Sequence, residues 1–151
     1  MTRMKTWGRV ALMAALLGPL AACTESTGPD VTPDGAVIPH SQEMVLAMGE
    51  EKAVDGSVIR LSFGRVLEDS RCPVDELVQC VWEGRGVVEI GIRMGMGPTI
   101  PLTLTTQASG RTATWNGIQV TLVAFEPAPS WNPPVPDSAY RVKLRVENQS
   151  R

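Results

Sequence analysis

The chain has 151 residues, 43% hydrophobic and 20% charged, with 14 Lys and Arg against 16 Asp and Glu, for a formal net charge of −2. The basic residues form no dense patch, which argues against nucleic acid as a partner and against electrostatic docking on anionic lipid. A single histidine and three cysteines further restrict the catalytic and metal chemistry open to it.

At the amino end, Arg3, Lys5 and Arg9 precede an uncharged apolar run, Val10 to Leu20, and small residues follow as far as Ala22. That order of basic, apolar and small residues is a secretory signal. The run is 11 residues long, whereas crossing the hydrocarbon core takes about 20. Leu20-Ala21-Ala22-Cys23 resembles the lipobox of bacterial lipoproteins. The resemblance implies cleavage before Cys23, a diacylglycerol thioether on its sulfur and acylation of the new amino end. Several acyl chains hold a membrane where one binds it only marginally. The expected location is therefore the bacterial cell envelope, with the membrane reached through lipid on Cys23. Thr24, standing where an Asp retains many lipoproteins at the inner membrane, favours the outer membrane of a diderm host, on its periplasmic or surface face. The alternative is an ordinary secreted protein with a cysteine near its cleavage site by chance.

Residues 1–22 hold three of the 14 basic residues and none of the 16 acidic ones, so the remainder carries 11 against 16, a net charge of −5. From Cys23 to Ser41 the chain is rich in Pro, Gly, Ser, Thr and Asp and has almost nothing to bury, so 23–41 reads as the lipidated cysteine and a flexible tether. Residues 42–149 suit one domain.

Within that domain the hydrophobic period is two, the mark of half-buried strands. Met44, Leu46 and Met48 alternate up to Gly49-Glu50. Ile59, Leu61 and Phe63 share a face in Ser57 to Leu67, with Gly64 as a candidate bulge before Val66. A short turn of helix is a candidate at Pro73 to Leu77. Val88, Ile90, Ile92 and Met94 share a face in Gly86 to Met94. Ile100, Leu102 and Leu104 follow, and Pro101 among them predicts an edge strand. Asn116-Gly117 between Arg111–Trp115 and Ile118–Phe125 predicts a type I′ hairpin. Glu126 to Asp137, with five prolines, is a loop. Tyr140, Val142, Leu144 and Val146 line a closing strand. Seven to eight short strands predict an all-β, antiparallel β-sandwich, immunoglobulin-like, with a small β-barrel as the alternative.

With Cys23 taken by lipid, Cys72 and Cys80 remain as a pair in an oxidising compartment, where a disulfide is expected. Their spacing is not C-x-x-C, and His40 lies upstream in the tether, so two-thiolate metal binding lacks support. The segment Asp69-Ser70-Arg71-Cys72-Pro73 … Cys80-Val81-Trp82-Glu83-Gly84 resembles a signature of small envelope lipoproteins of uncharacterised function. The resemblance extends over most of residues 43–147. It implies fold and address but no activity.

Two roles are open to this segment. As structure, Asp69 and Ser70 cap backbone amides of the turn, Arg71 pairs with Glu68 or Glu83, and Trp82 covers the disulfide. As a presented surface, Asp69, Arg71, Trp82 and Glu83 bind an envelope protein partner, joined by Trp131 of the proline loop. Trp131 is then either a contact anchor or a lid folded back on the sandwich. Arg71 beside a disulfide clamp also invites comparison with protease-inhibitor loops. Asp69, Asp75, Glu76 and Glu83 are candidate calcium ligands without EF-hand spacing, and Met94 and Met96 are candidate copper(I) ligands without a third donor. No cofactor and no resident metal are expected. With His40 outside the domain, no Ser-His-Asp or Cys-His arrangement can form there. The reading is a lipid-anchored binding or structural module, not an enzyme, with an envelope protease inhibitor or a calcium- or copper-binding protein as alternatives.

Overall fold

The computed structural model describes residues 38–149 except 76 and 77. The signal segment, Cys23 and the tether up to 37 lie outside the described residues, as do Glu76 and Leu77 of the candidate helical turn. Pro73 to Asp75 are not helical, and Val78 N–H closes a single turn onto the Asp75 carbonyl at 3.0 Å.

Eight strands follow one another: β1 (Gln42–Ala47), β2 (Glu51–Ala53), β3 (Ile59–Asp69), β4 (Gly86–Met94), β5 (Ile100–Thr105), β6 (Thr112–Trp115), β7 (Ile118–Glu126) and β8 (Arg141–Asn148). They form two antiparallel sheets of four, ordered β1-β8-β7-β6 and β2-β3-β4-β5. The sheets do not close on one another, so the molecule is a β-sandwich and not a barrel. Its likeness to an immunoglobulin domain lies in the two-sheet architecture. Its strand order is its own, since each sheet here is built around a run of consecutive strands rather than the mixed order of antibody domains.

The alternating apolar residues fill the space between the sheets. Leu46, Ile118, Val120, Leu122, Val142, Leu144 and Val146 come from one sheet and Ile59, Leu61, Phe63, Val88, Ile90, Ile92, Leu102 and Leu104 from the other, all buried. Gly64 sits where β3 slips its register against β4, the bulge its sequence position suggested, and Pro101 lies on the edge strand β5. Two features depart from the sequence reading. β2 is a strand of three exposed residues, too short and polar to show a period. And the packed domain begins before Gln42: Ile38 is buried in the core, and its backbone exchanges hydrogen bonds with the Asn148 side chain at 3.2 and 2.6 Å.

The outer faces carry crossed charges. On one sheet, Glu51 accepts from both Arg60 and Arg93, which hold its carboxyl at about 2, well below the usual carboxylate range; Arg65 pairs with Glu89 and Arg85 with Glu68. On the other, Glu43 bridges Lys143 and Arg145. The open edge of β1 is also engaged: Lys52 Nζ donates to the Val45 carbonyl at 2.7 Å, and Ala47 N–H donates to the Glu50 carboxylate at 2.8 Å.

Strand direction sets the two ends of the sandwich. Gln42 pairs with Val146 and Ala47 with Arg141, and Gln149 N–H donates to the Gly117 carbonyl. Ile38, the β6–β7 turn and the end of β8 therefore share one end. The β3–β4 and β7–β8 loops share the other, roughly 30 Å away at about 3.4 Å per residue along β7.

The β6–β7 turn has Asn116 at φ 47° and Gly117 at φ 75°, both left-handed as a type I′ turn requires. Gly117→Val places a β-branched residue in that region, and urea unfolding should show a loss of about 1–2 kcal/mol. An unchanged midpoint would mean the turn relaxes freely.

Candidate functional site

Three register shifts build the loop end. β3 slips against β4 between Phe63 and Arg65 and again between Val66 and Glu68. Each slip moves the side chains that follow to the opposite face, so the two together return Asp69 to the inward face. The Asp69 side chain is only 9% exposed. β7 slips once, between Leu122 and Ala124. Val123 is left exposed, and Phe125 enters the core behind Leu122.

Arg71 lies across the meeting point. Its Nε and Nη2 donate to Asp69 Oδ1 and Oδ2, each at 2.8 Å, the bidentate geometry in which an Arg–carboxylate pair is strongest. Nη1 donates to the Phe125 carbonyl at 2.5 Å and Nη2 to the Pro127 carbonyl at 2.7 Å. The guanidinium carbon stands 4.1 Å from the Phe125 ring centroid, a cation–π distance. Tyr140 stacks on Phe125 at 5.1 Å and donates its hydroxyl to Asp69 Oδ2 at 3.1 Å. Burial pushes the Tyr140 phenol above its ordinary value, and the Asp69 charge adds to the effect.

These contacts revise the roles expected of the segment. Arg71 pairs with Asp69, not with Glu68 or Glu83, and Glu68 is taken by Arg85 at 2.8 Å. Asp69 approaches one backbone amide, that of Arg71, only at 3.4 Å; its principal partner is the guanidinium. Ser70 does cap, accepting the Arg85 N–H at 3.1 Å. With its side chain 16% exposed, Arg71 is an interior strut rather than part of a presented surface, and it is not displayed as the contact residue of an inhibitor loop would be.

The motif glycine has a steric reason. Gly84 has φ +63°, and a Cβ there would stand 1.7 Å from the Ser70 carbonyl oxygen, so no other residue fits without backbone movement. This close approach brings the two arms of the 71–84 loop together, tied by Cys72 N–H to the Glu83 carbonyl and Ser70 N–H to the Arg85 carbonyl. The expected disulfide joins Cys72 and Cys80, with Cα atoms 5.9 Å apart.

The disulfide loop is also stitched to the proline loop. Val74 N–H donates to the Pro129 carbonyl at 3.1 Å. Asp75 accepts from the Ser130 hydroxyl at 3.2 Å and the Trp131 N–H at 2.9 Å. Around these ties the apolar side chains point to solvent: Val74 is 68% exposed, Val81 84%, Trp82 78% and Trp131 74%. Trp82 therefore does not cover the disulfide, and Trp131 is not a lid. Both were open to burial in sequence; in the fold their loops are held by backbone bonds and the crosslink, which leaves the rings free. Glu83 is exposed beside Trp82.

Of the residues expected to act together, the fold brings Trp82, Glu83 and Trp131 to one end and turns Asp69 and Arg71 inward beneath them. Of the candidate calcium ligands Glu76 lies outside the described residues; both Asp69 oxygens accept from Arg71, Asp75 holds the proline loop, and among the described residues no three His, Cys, Asp or Glu side chains are grouped to hold an ion. Met94 packs on the core while Met96 is fully exposed. Sequence reasoning missed Phe125 as a partner of Arg71, Tyr140 as a partner of Asp69, and Asp75 as the link between the loops. The chain matches no family model, no curated protein and no solved structure.

Removing one partner of a largely buried ion pair leaves the other uncompensated, so Arg71→Met should cost about 3 kcal/mol in urea unfolding. The double variant Asp69→Asn with Arg71→Met should recover part of that loss, and equal losses in single and double variants would count against the pairing. Cys72→Ser should cost about 2.5 kcal/mol through the lost nine-residue loop closure, read as a lower Tm under oxidising conditions. An unchanged Tm would mean the crosslink is idle.

Proposed function

We propose that this chain is a lipid-anchored binding module of the bacterial cell envelope, working without catalysis. Cys23 is its membrane anchor, on the outer membrane where the host is diderm, and residues 24–37 are the tether. The observation that carries the binding role is the pair of exposed tryptophans, Trp82 and Trp131, on loops held in place by a disulfide, by Asp75 and by the Arg71 strut. Tryptophan is the side chain most often responsible for interface affinity. Loops ordered in advance lose little further entropy on binding. The pair lies at the end of the sandwich opposite Ile38, where the tether joins, so a partner can reach it with the domain standing off the membrane.

The inward carboxylate at this end, Asp69, is committed to Arg71 and Tyr140 rather than free for acid–base work.

The test has two linked parts. Full-length protein grown with radiolabelled palmitate in a bacterial host should carry label that Cys23→Ala removes. Chemical cross-linking in the native membrane should then capture a partner whose yield falls when Trp82 or Trp131 is replaced by Ala. Absence of label would end the anchor reading. Cross-links indifferent to both substitutions would end the binding-end reading.

A further inference from the structure

The chemistry of the loop end narrows what it binds. We infer that Trp82, Trp131 and the adjoining groove beside Phe125 form a docking site for a basic, apolar-bearing polypeptide segment; this rests on the binding-module reading above.

The first argument is charge. On the outer faces of the sandwich most acids are matched by bases: Glu51 with Arg60 and Arg93, Glu89 with Arg65, Glu43 with Lys143 and Arg145, while Glu147 is met by the Gln119 amide. The loop end has one such pair, Glu68 with Arg85, and beyond it a surplus of acids. Glu83, Glu126 and Asp137 are exposed there, and none of them forms an ion pair among the described residues. The basic residues at this end are engaged elsewhere: Arg71 with Asp69 and two carbonyls, Arg85 with Glu68, and Arg141 with the Ser138 and Tyr140 carbonyls at 2.8 and 2.9 Å. Exposed acids without basic partners, set among exposed Trp and Val, complement a cationic surface with apolar side chains. They repel an anionic lipid surface, which would otherwise suit exposed tryptophan.

The second argument is shape. A groove of about 720 Å³ runs beside the stitched loops, lined by Phe125, Pro127, Ala128 and Ala139 with Glu126, Arg141 and the strut Arg71, whose charge is already met by Asp69. Glu126 and Arg141 are directly opposed across β7 and β8, yet they form no ion pair and both face this groove. Apolar walls with separated charges of both signs suit a polypeptide, which offers a peptide backbone, an apolar side chain and a basic side chain together. A membrane surface cannot enter such a groove, and a neutral glycan leaves its charges unmatched.

The third argument is rigidity. Asp75 fixes the Trp131 amide, the disulfide fixes the loop that carries Trp82, and Arg71 fixes the Phe125 and Pro127 carbonyls at the groove. The surface exists before the ligand arrives, as affinity for a short segment requires.

The test uses the full chain in phosphatidylcholine nanodiscs. Its probes are short synthetic peptides in which net charge and apolar content vary independently, followed by the intrinsic fluorescence of the tryptophans. Vesicles containing phosphatidylglycerol and purified peptidoglycan are offered in parallel. Peptides that are both basic and apolar should bind most tightly, and added salt should weaken them. Trp82→Ala, Trp131→Ala and the pair Glu83→Gln with Glu126→Gln should each weaken binding about tenfold, the scale of one interface anchor. Circular dichroism of each variant should match the parent, so that a lost fold is not read as lost binding. Equal binding of acidic and basic peptides would overturn the inference. Tryptophan-dependent binding to vesicles or peptidoglycan alone would also overturn it while leaving the binding module standing, and no tryptophan-dependent binding to any probe would remove both.

Discussion

The two sheets are joined at the loop end through one guanidinium. Arg71 donates to a carboxylate at the end of β3 and to two carbonyls at the end of β7 and just beyond it, so strands from different sheets share one set of planar donors. Arginine is suited to this by its fixed fork and permanent charge; a lysine could satisfy one or two of the acceptors but not hold their relative geometry. The core beneath is apolar and non-directional, and it would tolerate some sliding of one sheet over the other. The polar contacts around Arg71 are directional. They select one relation between the sheets, and with it the positions of both loops.

That constraint also explains why a short stretch of sequence is so dense in side chains with specific tasks. Asp69 supplies the carboxylate, Ser70 caps the returning strand, Cys72 closes the loop and Gly84 lets the two arms approach to contact. Phe125 is the aromatic floor on which the guanidinium rests, and Tyr140 stacks on Phe125 while its hydroxyl holds Asp69. The consequence for recognition is a division of labour. Asp69 and Arg71 of the motif act inward, while Val81, Trp82 and Glu83 are left outside where a partner meets them.

Much of this architecture was legible in the chain. Strand alternation, the Asn116-Gly117 turn, the bulge at Gly64 and the edge position of Pro101 all follow from local rules that tertiary structure had no cause to override. The disulfide matches the pair left when Cys23 is set aside. What escaped was of two kinds. β2 and Ile38 are local features too small to show a period: three exposed residues, two of them charged, and one apolar residue in a stretch rich in Pro and Gly. The Arg71 cluster escaped because its partners lie more than fifty positions away in sequence. The spacing of Asp69 and Arg71 could have suggested their pairing, since alternate residues of an extended chain share a face, but Phe125 comes within reach only through the slip in β7, which no residue there announces. Trp82 and Trp131 were legible as residues of interest and not as exposed ones. Their exposure depends on which backbone groups hold the loops, and that is a property of the folded pair.

The crossed side chains along β1 bear on how the molecule behaves in company. An unpaired strand edge is a template on which another strand can add, and sandwich proteins are at risk of stacking edge to edge into fibrils. Here the Val45 carbonyl is already occupied by Lys52 and the Ala47 amide by Glu50, and a strand arriving at that edge would have to displace a buttoned ion pair before it gained a hydrogen bond. A second copy meeting β1 edge to edge would find these two groups already occupied, which disfavours strand addition there.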